Sequence, residues 1–226
     1  MRNFLAVLAF ASTLTLASAT GAHADTVATH LTPPTAAELL AKAQGCDTKL
    51  TKEPLQKKED SPRDVDVCGK NGAVYFNADM DVDCDGQVTD RCNDHNGDCC
   101  FQPDTAFHQS DGRPLSAGYL PYIVLPRASD NWDWHDQGIG GGSVVAVIYQ
   151  GQVAYAVFGD TDSPNKVGEA SYATAENLGI NPSPADGGVD DGVTYIVFPA
   201  KANPIENHDS AVSAGERAAR QFVDNN

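Results

Sequence analysis

Val144-Val145-Ala146-Val147-Ile148-Tyr149, then Gln150-Gly151-Gln152, then Val153-Ala154-Tyr155-Ala156-Val157-Phe158 is the stretch that decides the fold. Two apolar, β-branched runs flank a short turn that carries a glycine, which is the signal of a β-hairpin. Strand signals continue on both sides, at residues 119–125, at residues 193–198 and from Val74-Tyr75-Phe76 onward. Helix signals are few and short. Thr35 caps residues 36–43 with Glu38 at the capping-box spacing. Residues 172–178 run into Gly179, a helix stop, and residues 213–223 form a last helix. Residues 50–64, rich in Lys, Glu and Pro, read as a surface loop, and residues 79–100, rich in Asp and Cys, as mostly irregular. No internal repeat is visible. The fold class is mostly β: one barrel or sandwich with a few short helices.

The first residues are of another kind. Arg2 precedes an apolar run from Phe4 to Leu16, and Ala22-His23-Ala24 offers a small-x-small cleavage site. That order marks residues 1–24 as an export leader; the run is short for a bilayer-spanning helix. The mature domain is then 25–226, secreted and extracellular. The whole chain carries 15 Lys and Arg against 31 Asp and Glu, a net charge of −16. Losing Arg2 with the leader makes it 31 against 14, or −17. So acidic a surface argues against nucleic acid or an anionic membrane as partner and favours a neutral or cationic ligand. The six cysteines, Cys46, Cys68, Cys84, Cys92, Cys99 and Cys100, imply disulfides in an exported chain. Their pairing is left open, and Cys84 to Cys100 is expected to be stapled to itself or to the Cys46/Cys68 arm.

Three segments hold side chains suited to chemistry. The strand ending at Phe158 runs into Gly159-Asp160-Thr161-Asp162, turns at Ser163-Pro164-Asn165, and returns through Val167-Gly168-Glu169. Such a reversal brings Asp160 and Glu169 to one mouth of a barrel, and a pair of carboxyls on rigid elements is what glycosidic cleavage needs. On spacing alone the plainer reading is a polar turn, with Asp160 and Asp162 in Asx-type bonds and Glu169 solvated. Asp162 is expected on the opposite side from Asp160. The second segment is Asp79, Asp81, Asp83 and Asp85, which share one face if extended. It reads as a row of subsites for ammonium groups, as a calcium site or as a solvated loop; the EF-hand match fails because its twelfth position is Cys92. The third is Asp130-Asn131-Trp132-Asp133-Trp134-His135-Asp136, whose Trp132 and Trp134 would stack on sugar rings while Asp133 holds an amine; at least one tryptophan of the two is expected in the core.

Several of these runs resemble the fungal chitosanases of glycoside hydrolase family 75. They are Tyr75 through Gly86, Pro121-Tyr122-Ile123-Val124, Phe158 through Asp162, Gly168-Glu169-Ala170-Ser171, Leu178-Gly179-Ile180 and Gly192 through Phe198. The resemblance implies an endo-acting, inverting hydrolase of chitosan with Asp160 and Glu169 as its catalytic carboxyls. It also implies a double-psi β-barrel.

Together these readings set the expectations. The chain is a disulfide-stapled, double-psi-like β-barrel that cuts β-1,4-linked glucosamine polymers. Glu169 is the general acid and Asp160 the base. Asp79, Asp81, Asp83, Asp85, Trp132, Asp133 and Trp134 bind substrate, with no metal, no cofactor and no partner chain. Two rivals from other classes are a non-catalytic carbohydrate-binding module on the same barrel and a calcium-stabilised matrix protein.

Overall fold

The computed structural model describes residues 32–95 and 99–226. The export leader expected over 1–24 lies outside the described residues, as does the start of the 25–226 domain.

In chain order the elements are α1 (Ala36–Lys42), β1 (Leu55–Gln56), β2 (Arg63–Val65), β3 (Cys68–Lys70), β4 (Ala73–Asp83), β5 (Tyr122–Pro126), a 3₁₀ turn (Trp134–Gln137), β6 (Ser143–Tyr149), β7 (Gln152–Asp162), β8 (Glu169–Ser171), α2 (Tyr172–Asn177), β9 (Val189–Lys201) and α3 (His208–Asp224). The main sheet runs β3-β4-β8-β5-β7-β6-β9, and β4 also pairs with β9. That extra pairing closes the six strands β4, β8, β5, β7, β6 and β9 into a barrel, with β3 appended. Closure removes the exposed edges that an open sheet would leave.

The pairings have an internal symmetry. β4 lies parallel to β8, and β7 parallel to β5. β4 is antiparallel to β9, and β7 to β6. Exchanging β4-β5-β6 with β7-β8-β9 therefore maps the remaining pairs, β5–β8 and β6–β9, onto themselves. These are two interlocked halves, a double-psi-like arrangement. The repeat is topological and leaves no trace in residue identity.

The hairpin that opened the argument is β6–β7. Tyr149 pairs with Gln152, and the two loop residues Gln150 and Gly151 both have positive φ, 46° and 81°. That is the turn whose twist matches a hairpin. Its strands are apolar from Val144 to Ile148 and from Val153 to Phe158 because both faces are covered. Val145, Val147, Ala154, Ala156 and Phe158 point into the barrel with Phe76, Ile123, Leu125 and Tyr195. Val144, Ala146, Ile148, Tyr155 and Val157 face outward, under Ala211, Ala214, Ala218, Ala219 and Phe222 of α3 and Leu39 of α1. Gly215 permits that close approach, since a Cβ there would lie 2.5 Å from Tyr155 Cδ1.

Several expectations change at their edges. Residues 79–83 are not irregular: they complete β4, paired to β8 and β9. The alternating aspartates are a strand whose partners lie far away in sequence. Residues 50–64 hold β1 and β2, and Leu55 is fully buried. α3 starts five residues before the expected 213, because Asn207 caps it through the Ser210 N–H at 2.9 Å. Thr35 and Glu38 form the expected capping box. Disulfides join Cys46 to Cys68 and Cys84 to Cys92, which accounts for four of the six cysteines; Cys99 is an exposed thiol.

Candidate active site

Val124 of β5 is the centre of the site. It pairs with Asp160 of β7 on one side and with Glu169 of β8 on the other. Glu169 pairs in turn with Asp81 of β4. The rung Asp81–Glu169–Val124–Asp160 thus crosses four strands. Strands lie about 4.8 Å apart, so the Cα atoms of Asp160 and Glu169 are two spacings, about 10 Å, apart.

A bulge aims Asp160. Ile123 pairs with Phe158 but Val124 with Asp160, leaving Gly159 as the extra residue. Without it Asp160 would follow Ala156 and Phe158 into the barrel. With it, Asp160 joins the outward face of Val124, the re-aiming that bulges provide. Only glycine fits at 159: a Cβ would lie 2.7 Å from both Leu115 Cδ1 and Tyr122 Cβ. Asp162, two residues on, shares that outward face. The expected opposite orientation is corrected, since side chains two apart on a strand point the same way.

Val124, Asp160, Asp162 and Glu169 line a cleft of about 270 Å³ with Asp83, Asp85, Gln102, Asp104, Thr105, Ala106 and Arg127. Asp160 Oδ1 accepts the N–H of Ala106 at 2.7 Å and of Thr161 at 2.6 Å. Burial pushes its carboxyl up, those two N–H groups pull it down, and Asp162 and Asp104 push it up again. Burial pushes Glu169 further, to about 7; Lys166 opposes it, and Asp162 and Asp81 add to it. Lys166 Nζ lies 3.2 Å from Glu169 Oε2 and 3.5 Å from Asp81 Oδ2. Burial works against the charge on Lys166, but Glu169 and Asp81 outweigh it and hold the ammonium above its usual range. Asp83 is buried, and burial with Glu169 and Asp85 nearby drives its carboxyl well above the usual range. Its Oδ1 accepts the Asp85 N–H at 2.7 Å.

The structure therefore splits the acidic row. Asp83 and Asp85 reach the cleft, while Asp81 turns to Lys166. Asp79 is corrected as a subsite: it is fully buried, and neither carboxylate oxygen has a hydrogen-bond partner. It sits where a Gly168 Cβ would be, 1.9 Å from its Oδ1. The β4–β9 register breaks between Ala78 and Met80, so Asp79 lies at an irregularity and not on an open face. Trp132 and Trp134 are corrected too, because both are core residues, 3 % and 5 % exposed. Their indole N–H groups donate to Gln137 Oε1 and to the Pro126 carbonyl, each at 3.0 Å, and Trp134 packs edge-on against Phe158. They present no ring face to a sugar. Asp133 caps the 3₁₀ turn through the His135 N–H and lines a separate depression beside Lys52 and Asn131.

Functional residues not singled out in the sequence are Arg127, Asp104 and Gln102, which line the cleft, and Lys166, which lies beside it against Glu169 and Asp81. Lys166 did carry a signal, as the single base between Asp160 and Glu169, and so did Arg127, directly after a strand. Asp104 and Gln102 lie in an irregular stretch without any. Among the described residues no group of three His, Cys, Asp or Glu side chains is placed to hold a metal ion, and no helix is long and apolar enough to cross a membrane.

The sequence matches known proteins. A family model described as fungal chitosanase of glycosyl hydrolase group 75 matches residues 80–224, a span that includes both Asp160 and Glu169. Endo-chitosanase C of Aspergillus oryzae is 36 % identical over 163 residues, 65 % of this chain and 40 % of that protein. Endo-chitosanase B of Aspergillus oryzae is 33 % identical over 165 residues, 64 % of this chain and 67 % of that one. An endo-chitosanase of Aspergillus fumigatus is 30 % identical over 181 residues, 72 % and 71 %. The chain thus spans less than half of the first relative and about two thirds of the others. A solved structure, Streptomyces papain inhibitor (SPI), superposes with a TM-score of 0.34 at 17 % identity over 55 % of this chain and 94 % of that one, too loosely to bear on function. The chain belongs to the family of fungal chitosanases of glycosyl hydrolase group 75.

Proposed function

We propose that the chain is an exported, monomeric hydrolase that cuts β-1,4-linked glucosamine polymers at internal bonds and inverts the anomeric carbon, with residues 25–226 as one catalytic domain. The observation that carries this reading is the placement of Asp160 and Glu169 as the two ladder partners of Val124 in one acidic cleft. Inverting enzymes hold their carboxyl groups about 6.5–9.5 Å apart, leaving room for water, whereas retaining ones hold them at about 5–5.5 Å. A two-strand separation suits the former.

The environments of the two carboxyls support these roles: Glu169 as acid and Asp160 as base. Glu169, pushed to about 7, keeps its proton in mild acid, where the polymer's amines are charged. Its O–H donates to the glycosidic oxygen as the bond breaks. Asp160 accepts two backbone N–H bonds on Oδ1, which favour its ionised form. It takes a proton from the water that attacks C1 from the opposite face. Asp85, Asp104 and Asp162 line the same cleft and supply negative charge for ammonium groups, with Asp83 beneath them. No cofactor enters this chemistry. Proton NMR of the first products from a glucosamine oligomer tests it: the α-anomer should appear before mutarotation. Initial β-anomer, or binding without new reducing ends, contradicts it.

A further inference from the structure

One largely covered cation beside the cleft has no part in those steps. The Lys166 side chain is 18 % exposed, and a lysine so covered keeps its charge only if paired. Its backbone is held by β1: Gln56 N–H donates to the Asn165 carbonyl at 2.9 Å, and Val167 N–H to the Gln56 carbonyl at 3.0 Å. From that fixed base its ammonium reaches both Glu169 and Asp81.

We propose that Lys166 is a positioning residue for Glu169, clamped by β1, and that Asp81 is its counterweight, drawing part of the lysine's charge away from the cleft. The proposal rests on the reading of Glu169 as general acid. The charged groups facing Glu169 are Asp81 and Asp83 from β4, Asp162 from β7 and Lys166 from its own limb, with Arg127 at the end of β5 in the same cleft. Burial and the carboxylates retain the proton on Glu169; Lys166 helps to remove it.

The two partners act with opposite sign. Removing Lys166 leaves burial and the acids, so Glu169 holds its proton to higher pH. Removing the Asp81 charge deletes one acid and frees the lysine for Glu169, which then loses its proton at lower pH. The alkaline limb of the kcat/KM profile, which reports the acid in the free enzyme, should move up by about 1 pH unit or more in Lys166→Met and down in Asp81→Asn. A residue that only stabilises the fold would lower both melting temperatures and move neither limb.

The experiment is that profile for the full chain on a soluble glucosamine oligomer, for wild type, Lys166→Met, Lys166→Arg and Asp81→Asn, with melting curves. Opposite shifts in Lys166→Met and Asp81→Asn, with Lys166→Arg restoring the wild-type limb and kcat falling more than KM changes, support the proposal. Folded variants that keep the wild-type limb, or shift it in one direction, overturn it. If Lys166→Met does not fold, a downward shift in Asp81→Asn still supports it and an unmoved limb overturns it. Opposite shifts in the acid limb would keep Lys166 as the positioning residue and overturn the assignment of Glu169 as acid.

Discussion

Asp160 and Glu169 are both ladder partners of one residue, Val124, the first in parallel and the second in antiparallel. A single strand therefore sets the distance between the two carboxyls. Its rigidity comes from closure of the barrel on both sides, which suits a pair that has to be held to within about half an ångström.

The glycines beside the pair should also be sensitive to substitution. Gly159→Ala places a Cβ 2.7 Å from Tyr122 Cβ and Leu115 Cδ1. Overpacking of this kind costs about 1–3 kcal/mol, and it disturbs the bulge that aims Asp160. Turnover should fall by at least tenfold while KM changes little. Gly168→Ala meets the Asp79 carboxyl and needs a non-glycine residue at φ 95°. Adding Asp79→Ala should recover part of that loss, the coupling expected of residues in contact. Additive melting shifts would show that the two do not touch.

Asp79 should make the protein less stable as pH rises. Burial, then Asp81, push its folded carboxyl to about 7 from an ordinary 3.8. The folded state then holds a proton that the unfolded state has lost. Stability is full below about pH 4 and falls as pH rises toward 7, by on the order of 2–4 kcal/mol. Asp79→Asn cannot ionise. Its melting temperature should decline less between pH 4 and 7 than the wild type's; equal declines would remove Asp79 as the cause.

Binding should depend on salt. Charges around the cleft mouth are screened over about 10 Å at 0.1 M salt, so KM for chitosan should rise with ionic strength while kcat changes less. Asp104→Asn should raise KM at low salt and flatten that dependence. Cellulose, with the same linkage and no amine, should be a poor substrate. A KM independent of salt together with good cleavage of cellulose would overturn the charge-based account.

The tryptophans should report on the fold and not on the sugar. Trp134→Phe orphans the Pro126 carbonyl that its N–H now reaches, at about 1–3 kcal/mol. The melting temperature should drop and KM stay unchanged. A large rise in KM at full stability would return Trp134 to the binding surface.

The sequence made the barrel readable because β6, β7 up to Phe158, the start of β4 and the middle of β9 are covered on both faces and so are largely apolar. The Gly-Asp and Gly-Glu limbs stood out through the family resemblance, since spacing alone reads as a polar turn; the bulge at Gly159 and the positive φ at Gly168 show why glycine stands at both. The fate of the aspartate row was not readable. Asp79, Asp81 and Asp83 alternate as any strand does, and what separates them is contact with Gly168, Lys166 and Glu169, some ninety residues away. Trp132 and Trp134 misled for the same reason. A Trp-Asp-Trp loop looks like a sugar platform until the Pro126 carbonyl and Phe158 are seen to occupy it.

The most direct test is the initial rate of reducing-end release from chitosan by Asp160→Asn and Glu169→Gln, each shown to be folded by its melting curve. Acid or base assistance contributes about 10²- to 10⁴-fold, so each variant should lose at least about a hundredfold in kcat. A folded Glu169→Gln protein with near wild-type turnover would contradict the account.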